Sequence, residues 1–411
     1  MAFKDYLSKN LLAAAFKLNT PKSSKSTKQV QVLIDSISEH RSIWRKEVID
    51  WQQGRDAFYS EHNPTTWQLQ DVYHDVMLDD QLTTVTESRK LRIINKELVV
   101  YDKNKNIDQK KTDLLNDQEW IFDFLNMSLD SIFYGYSLIH LRTAKNLTGQ
   151  TIIKEPYLVP RGYVSPFNKL ILSNENDPST GVEFERFNRE LIYAKMYNEV
   201  GILEKAAPLT MLKRHSWGSW DEFEQIFGVP IRVAKYALGN DKIKKEIAGW
   251  LEEMGTAAYG VFPKEVEIDI IENQKTDAYN VFLKKIERVD EGLAKLILHQ
   301  TGTTDEKSFV GAAQVHENTL HQVTMADERK LKLILNGSLK YALNYWGYGF
   351  DGTEKIAFKK TTDPNKQIEV DSKLMKGGVN LSKDYIERTY GVEVDDTKPV
   401  EKEPKTKKKK A

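Results

Sequence analysis

Two histidines, His316 and His321 in HENTLH, come nearest in this chain to a metal-ligand spacing. A zinc-hydrolase helix sets its histidines four apart so that both leave one face. Five apart puts them about 140° around the helix and splits the ligand set. Hydrogen-bonded core or interface histidines are the simpler reading. The carboxylate pairs Asp79-Asp80 and Asp395-Asp396 read as cap and loop residues, not as an acid–base dyad. The two tryptophans of HSWGSW (215–220) can stack nucleic-acid bases, and they can equally pack against neighbouring helices or subunits. Lys405 and Lys407 to Lys410 can touch nucleic acid or form a solvated tail. No phosphate-binding G-x-x-x-x-G-K-[ST], no G-x-G-x-x-G and no G-x-S-x-G occurs. With no cysteine, thiol nucleophiles, disulfides and Cys-based zinc sites are excluded. The residues therefore point to no catalytic group, no metal and no cofactor.

What remains is a scaffold to be explained. The 411 residues carry 60 basic and 60 acidic side chains, but unevenly. Residues 1–30 hold six Lys against one Asp, and 397–411 hold seven Lys against two Glu, so each end is +5 and the body between is −10. An acidic body with basic tails is not built to grip DNA over its whole surface. No apolar run approaches the roughly 20 residues needed to span a bilayer, and LLAAAF (11–16) is too short for a signal-peptide core. The cytoplasm, or a particle assembled there, is the expected location.

Along the chain, NTPKSSKSTKQ (19–29) reads as a flexible linker. MLDDQLTTVTESRKLRIINKEL (77–98) has Asp caps and helical apolar spacing and passes into the strand-like LVVYD. DQEWIFDFLNMSLDSIFYGYSL (117–138) places Trp120, Phe124, Met127 and Ile132 near one helix face. YSLIHLR, PYLVPRGYV, NKLILSN and ELIYAKM are short β-type runs between turn residues. From about 203 the pattern becomes helical apart from Pro208 and Gly218. In SWDEFEQIFGVP (219–230), Ser219 with Glu222 reads as a capping box, while Gly228 and Pro230 form a firm stop. The segment 229–272 reads as a β-α-β-β insert. TDAYNVFLKKIERVDEGLAKLILHQ (276–300) repeats Tyr279, Phe282, Ile286, Val289, Leu293 and Leu296 in a near-heptad seam. After the Gly/Thr-rich 301–312, a helix of some 35 residues follows, with Gly337 as a plausible kink. Two long helices carrying a small insert form a stalk with a head, in an α+β chain.

The stretch WDEFEQIFGVPIRVAKYALGN, followed by LEEMGTAAYGVFPKEVEIDIIE, resembles the portal proteins of Mu-type tailed phages and prophages. The matching residues are Trp220, Phe223, Phe227, Gly228, Pro230, Arg232, Lys235, Tyr236, Met254, Gly255 and Pro263. LAKLILHQTGTT and AAQVHENTLHQVTMADERKL resemble the family's "iLGQTlTT" stretch and the Gln-Val-His helix after it, with His299 standing where the family has Gly. MLDDQLTTVTESRKLRI and SLDSIFYGYSLIHL match more loosely, so the likeness covers roughly residues 70–390.

The resemblance implies a portal-type subunit without enzymatic activity. Such subunits form a homo-oligomeric ring, usually of twelve, at one capsid vertex of the virion, after assembly in the host cytoplasm. Double-stranded DNA passes through the channel without sequence recognition during packaging and ejection. The terminase large subunit, the major capsid or scaffold protein and head–tail adaptor or connector proteins are the implied partners, and no membrane is involved. Mapped onto this chain, the plan gives a basic flexible segment 1–30, a mixed α/β wing 31–202, a first stem helix 203–227 and a small α/β clip 228–275. A second stem helix 276–300, a tunnel loop 301–312, a long wing helix 313–347, a crown-like C-terminal region 348–396 and a Lys-rich tail 397–411 follow. Thr303, Thr304, Asp305, Glu306 and Lys307 would touch DNA lightly, as a plain connector would not. Lys242, Lys244 and Lys245 are candidates for facing the terminase, and part of the 279–296 seam would pack against a neighbouring stem. The competing readings are a metal-dependent nuclease or hydrolase and a minor head adaptor.

Overall fold

The computed structural model describes residues 23–37, 45–145, 151–227, 231–235, 242, 245–249, 267–271, 278–300, 310–359 and 364–392. They fall into two compact units, 1–357 and 358–411.

The first unit opens with α1 (Ser23–Ser36), so residues 23–30 are helical and not part of a linker. The reason lies beyond the polar stretch: Val30, Leu33 and Ile34 share one face, and burying it against Tyr136, Leu138, Val159, Val164, Ile171 and Phe184 stabilises the helix. Four helices follow at close intervals: α2 (Val48–Phe58), α3 (Trp67–Val76), α4 (Asp80–Ile94) and, after β1 (Leu98–Tyr101), α5 (Gln109–Asn116). Asp79 is the N-cap of α4, accepting from the Leu82 amide at 2.9 Å as the sequence suggests. Helix α6 (Glu119–Tyr134) buries Trp120, Phe124 and Ile132, and Met127 is half-buried.

The short β-type runs form two three-stranded antiparallel sheets. One has the order β3 (Thr151–Leu158), β2 (Ser137–Lys145), β7 (Leu191–Ala194); the other runs β4 (Val164–Ser165), β5 (Leu170–Leu172), β6 (Gly181–Glu183). The centre strand β2 is buried from Ser137 to Leu141 and bulges at Arg142/Thr143, where it leaves the core.

Helix α7 (Leu203–Phe227) runs unbroken for 25 residues. Ser219 is therefore not an N-cap, and Pro208 and Gly218 lie inside the helix. Pro208 has no amide to offer the Glu204 carbonyl one turn back. That carbonyl instead accepts from Trp51 Nε1 at 3.0 Å. A tryptophan from α2 thus fills the gap that proline makes. Beyond α7, β8 (Ile231–Lys235) and β9 (Glu267–Ile271) pair antiparallel, with helical residues 242 and 245–249 between them in sequence. The third expected strand, at 257–263, lies outside the described residues.

Helix α8 (Ala278–Leu298) returns along α7, and α9 (Val310–Ile334) follows. Residues 310–312 thus open α9 and do not belong to a loop. At Gly337 the helix widens into a π turn (Leu335–Leu339) before α10 (Lys340–Tyr345), so the expected kink is a π-bulge. Asn336 stabilises it: its amide nitrogen donates to the Lys332 and Ile356 carbonyls at 2.9 and 2.7 Å, and its oxygen accepts from the Ile356 amide at 2.8 Å. Ile356 lies on β10 (Lys355–Phe358), which pairs with β1.

In the second unit, α11 (Pro364–Lys376) and α12 (Lys383–Tyr390) are joined through Asp371. Its carboxylate accepts from the Tyr385 and Tyr390 hydroxyls at 3.0 and 2.5 Å and from Gln367 Nε2 at 3.0 Å. The Tyr390 bond holds the Asp371 carboxyl below its usual range and pushes the phenol up to about 12. Ser382 caps α12, and Gly391 closes it in the left-handed conformation.

Candidate functional site

The stalk expected from the sequence is the α7–α8 hairpin. Its base is held by α2, where Trp51, Arg55 and Tyr59 sit four apart on one face. Trp51 binds the Glu204 carbonyl, while Arg55 Nε and the Tyr59 hydroxyl donate to the Glu204 carboxylate at 2.8 and 3.4 Å. An acidic side chain in the first turn also suits the helix dipole. The entry to α7 is fixed by two interlocked glycines. Gly135, φ +96°, ends α6, and Gly201, φ +78°, precedes α7. A Cβ on Gly135 would lie 2.0 Å from the Glu199 carbonyl oxygen, and one on Gly201 would lie 2.0 Å from that of Phe133. Only glycine permits the two backbones to pass this closely.

Halfway up, Lys213 of α7 is almost completely buried. It reaches Asp79, the α4 N-cap, at 3.0 Å, Asp80 at 3.2 Å and Asp290 of α8 at 2.7 Å. Burial opposes its charge, but hydrogen bonds to Asp290 and Asp79 outweigh that and raise its pKa. One ammonium cannot neutralise three carboxylates, so burial still raises Asp290 against the pull of Lys213. The next residue, Arg214, binds both the carboxylate and the backbone carbonyl of Asp75. The α8 seam is internal: Ile286, Val289 and Leu293 are buried, and Phe282 packs 5.8 Å from Phe223 of α7. Phe282 and Leu296 of the seam are half-buried.

Helix α8 ends at the base of the stalk. His299 has φ +60°, the left-handed conformation at which a helix is most readily ended by glycine. This accounts for the family's Gly at that position and makes His299 a strained replacement. Its ring binds the Ile297 carbonyl, while burial and the nearby Arg89 charge lower its pKa. Beside it, Arg89 of α4 (3% exposed side chain) makes a two-pronged pair with Asp327 of α9 (0%), at 2.8 and 3.1 Å. Arg89 also donates to the Ile297 carbonyl at 2.6 Å, and the Tyr197 hydroxyl donates to Asp327 at 2.6 Å. Arg92 pairs with Glu317 at 2.8 and 2.9 Å. Both helices flanking 301–309 are thereby fixed to α4. This polar clamp has no sequence motif; its one signal is an Asp and an Arg falling on otherwise apolar faces.

Thr303, Thr304, Asp305, Glu306, Lys307, Lys244, Gly228 and Pro230 lie outside the described residues. Phe227 ends α7 and Arg232 lies on β8, both described as backbone only. Lys242 and Lys245 are exposed in the insert. Trp220 and Phe223 are half-buried on the inner side of α7, and Trp220 stacks on the half-exposed Trp217 with centroids 5.4 Å apart. Among the described residues no group of three or more His, Cys, Asp or Glu is placed to hold a metal ion, and no helix is long and apolar enough to cross a membrane.

Known proteins resemble this chain over most of that framework. The family "Portal protein of Mu bacteriophage" matches residues 70–392. A "Mu-like prophage FluMu protein gp29" of Haemophilus influenzae is 24% identical over 242 residues, covering 56% of this chain and 46% of its own. The "Portal protein" of Escherichia phage Mu is 24% identical over 248 residues, covering 57% and 48%. The match thus spans about half the length of these relatives. A solved chain from the virion of a native gene transfer agent particle shares the fold at TM-score 0.54 and 8% identity, covering 84% of this chain and 99% of its own. With 70–392 matched, including α7, α8 and the helices that clamp them, the chain belongs to the Mu bacteriophage portal protein family.

Proposed function

We propose that this chain is the subunit of a homo-oligomeric portal ring at one capsid vertex. The ring forms the channel for DNA packaging and ejection and docks the terminase and head–tail connector proteins. The observation that carries this reading is the family match over 70–392, which includes a two-helix hairpin leading into a small β-paired insert. In this reading α7 and α8 are the stem, 228–275 the clip, 301–312 the tunnel region and α9–α10 the wing helix. The role asks for no catalytic group. It asks for a rigid wall and for a channel that holds DNA weakly, because each phosphate neutralised by Lys or Arg adds affinity. The clamp of Arg89 and Asp327 supports the first requirement and the −10 body the second. The assignment of Thr303 to Lys307 to the channel, and of Lys242, Lys244 and Lys245 to the terminase side, belongs to the same proposal. Gold-labelled antibody against the chain tests it on purified particles: label confined to one vertex supports the portal, and label spread over the shell or tail contradicts it.

A further inference from the structure

We infer that the solvent face of α9 and α10 is the docking site for an acidic amphipathic helix of a second, different protein of the particle. It rests on the portal reading for the particle in which that protein is met.

The face is built around the π turn. In a regular helix a side chain four positions on drifts about 40° around the axis, so three such steps would carry Tyr345 about 120° from Leu333. The π turn at Leu335–Leu339 closes its bonds at i+5 and takes up one extra residue, which cancels most of that drift. The buried side shows the same reset: Leu331, Leu335, Leu339 and Leu343, also four apart, are all 0% exposed. Opposite them Leu333, Gly337, Tyr341 and Tyr345 form one exposed stripe. Leu333 is 68% exposed, Tyr341 47% and Tyr345 49%. A Cβ built on Gly337 meets no heavy atom within 4 Å, so nothing inside the chain requires glycine there. Glycine weakens a helix interior, but its missing side chain leaves a notch into which a facing backbone fits.

The anchors are held in advance. Arg189, just before β7, lies 4.3 Å from the Tyr345 ring centroid and bonds the hydroxyls of Tyr341 and Tyr345. Its own carbonyl accepts from Trp346 Nε1 at 2.9 Å. Tyr and Arg are residue types that carry most of the energy at protein interfaces, and fixing them beforehand reduces the entropy lost on docking.

The exposed charge has one sign. Asp327 and Glu328, the acids of 322–345, turn inward to Arg89 and Lys96, leaving Arg189, Arg329 and Lys330 exposed. A two-fold pairing of this face with itself would set like charges together. A helix that crosses at Gly337 with apolar side chains on Leu333 and Tyr341 must meet this rim with Asp or Glu.

Photo-crosslinking in assembled particles tests the site. p-Benzoylphenylalanine replaces Leu333 in one full-length variant and Tyr341 in another, and peptide mass spectrometry identifies what each captures. Both should capture the same acidic, amphipathic segment of a protein other than this chain. A synthetic peptide of that segment should bind the purified full-length protein, more weakly as salt rises. Tyr341→Ala/Tyr345→Ala, Gly337→Leu and Arg329→Glu/Lys330→Glu should each weaken it at least tenfold while keeping the parent's circular dichroism. Capture of another copy alone, a segment without acidic residues, no capture from either position, or unchanged affinity in the folded variants overturns the docking site and leaves the portal reading standing. Label away from a single vertex, by contrast, overturns the portal reading itself.

Discussion

Replacing Asp327 by Asn tests whether the clamp beside 301–309 holds the helices together. Arg89 and Asp327 have 3% and 0% side-chain exposure, and their pair is two-pronged. The substitution leaves the Arg89 guanidinium buried with the Ile297 carbonyl and a neutral amide for company. An uncompensated buried charge costs about 3–5 kcal/mol. Arg89→Met should cost a similar amount, because Asp327 then keeps only the Tyr197 hydroxyl and loses its counter-charge. The double variant Arg89→Met/Asp327→Leu removes both charges, and its loss should be well below the sum of the single losses. A coupling of at least about 2 kcal/mol is expected for groups sharing one network. Urea unfolding followed by circular dichroism gives all four corners of this cycle. Single losses under about 1 kcal/mol, or a double loss equal to their sum, would refute the clamp.

Other positions give equally definite outcomes. Burial and the Arg142 charge lower the His140 pKa from 6.5 to about 4, with Asp35 opposing. The unfolded chain therefore takes up the proton first as pH falls. Stability is full above pH 6.5 and declines towards pH 4 by about 3 kcal/mol; His140→Leu should abolish that slope in urea midpoints measured across the range. Gly201→Ala forces a Cβ to 2.0 Å from the Phe133 carbonyl at positive φ, so a loss of roughly 3 kcal/mol or more is expected, seen as a lowered melting temperature. His299→Gly should instead stabilise by about 1 kcal/mol through relief of left-handed strain, whereas His299→Val should destabilise; differential scanning calorimetry distinguishes the two.

Local signals in the sequence survived where the fold uses them locally. Asp79 caps α4, because a cap needs only its own first turn. Ser219 misled for the same reason: a serine three before a glutamate sits as readily inside a helix as at its start. Pro208 looked like a break because its remedy, Trp51, lies 153 residues from Glu204. The polar fixings left almost no mark on the sequence beyond the apolar faces that Arg89 and Asp327 interrupt. Lys213 among its three carboxylates and Arg89 with Asp327 look like ordinary surface charges until tertiary packing buries them. The His299 departure became informative only once its φ was known.

The mass of the purified protein in solution tests the portal account most directly, by native mass spectrometry with negative-stain images of the same sample. The account predicts a closed ring of many copies around a central hole. A stable dimer that never forms rings at any concentration would contradict it.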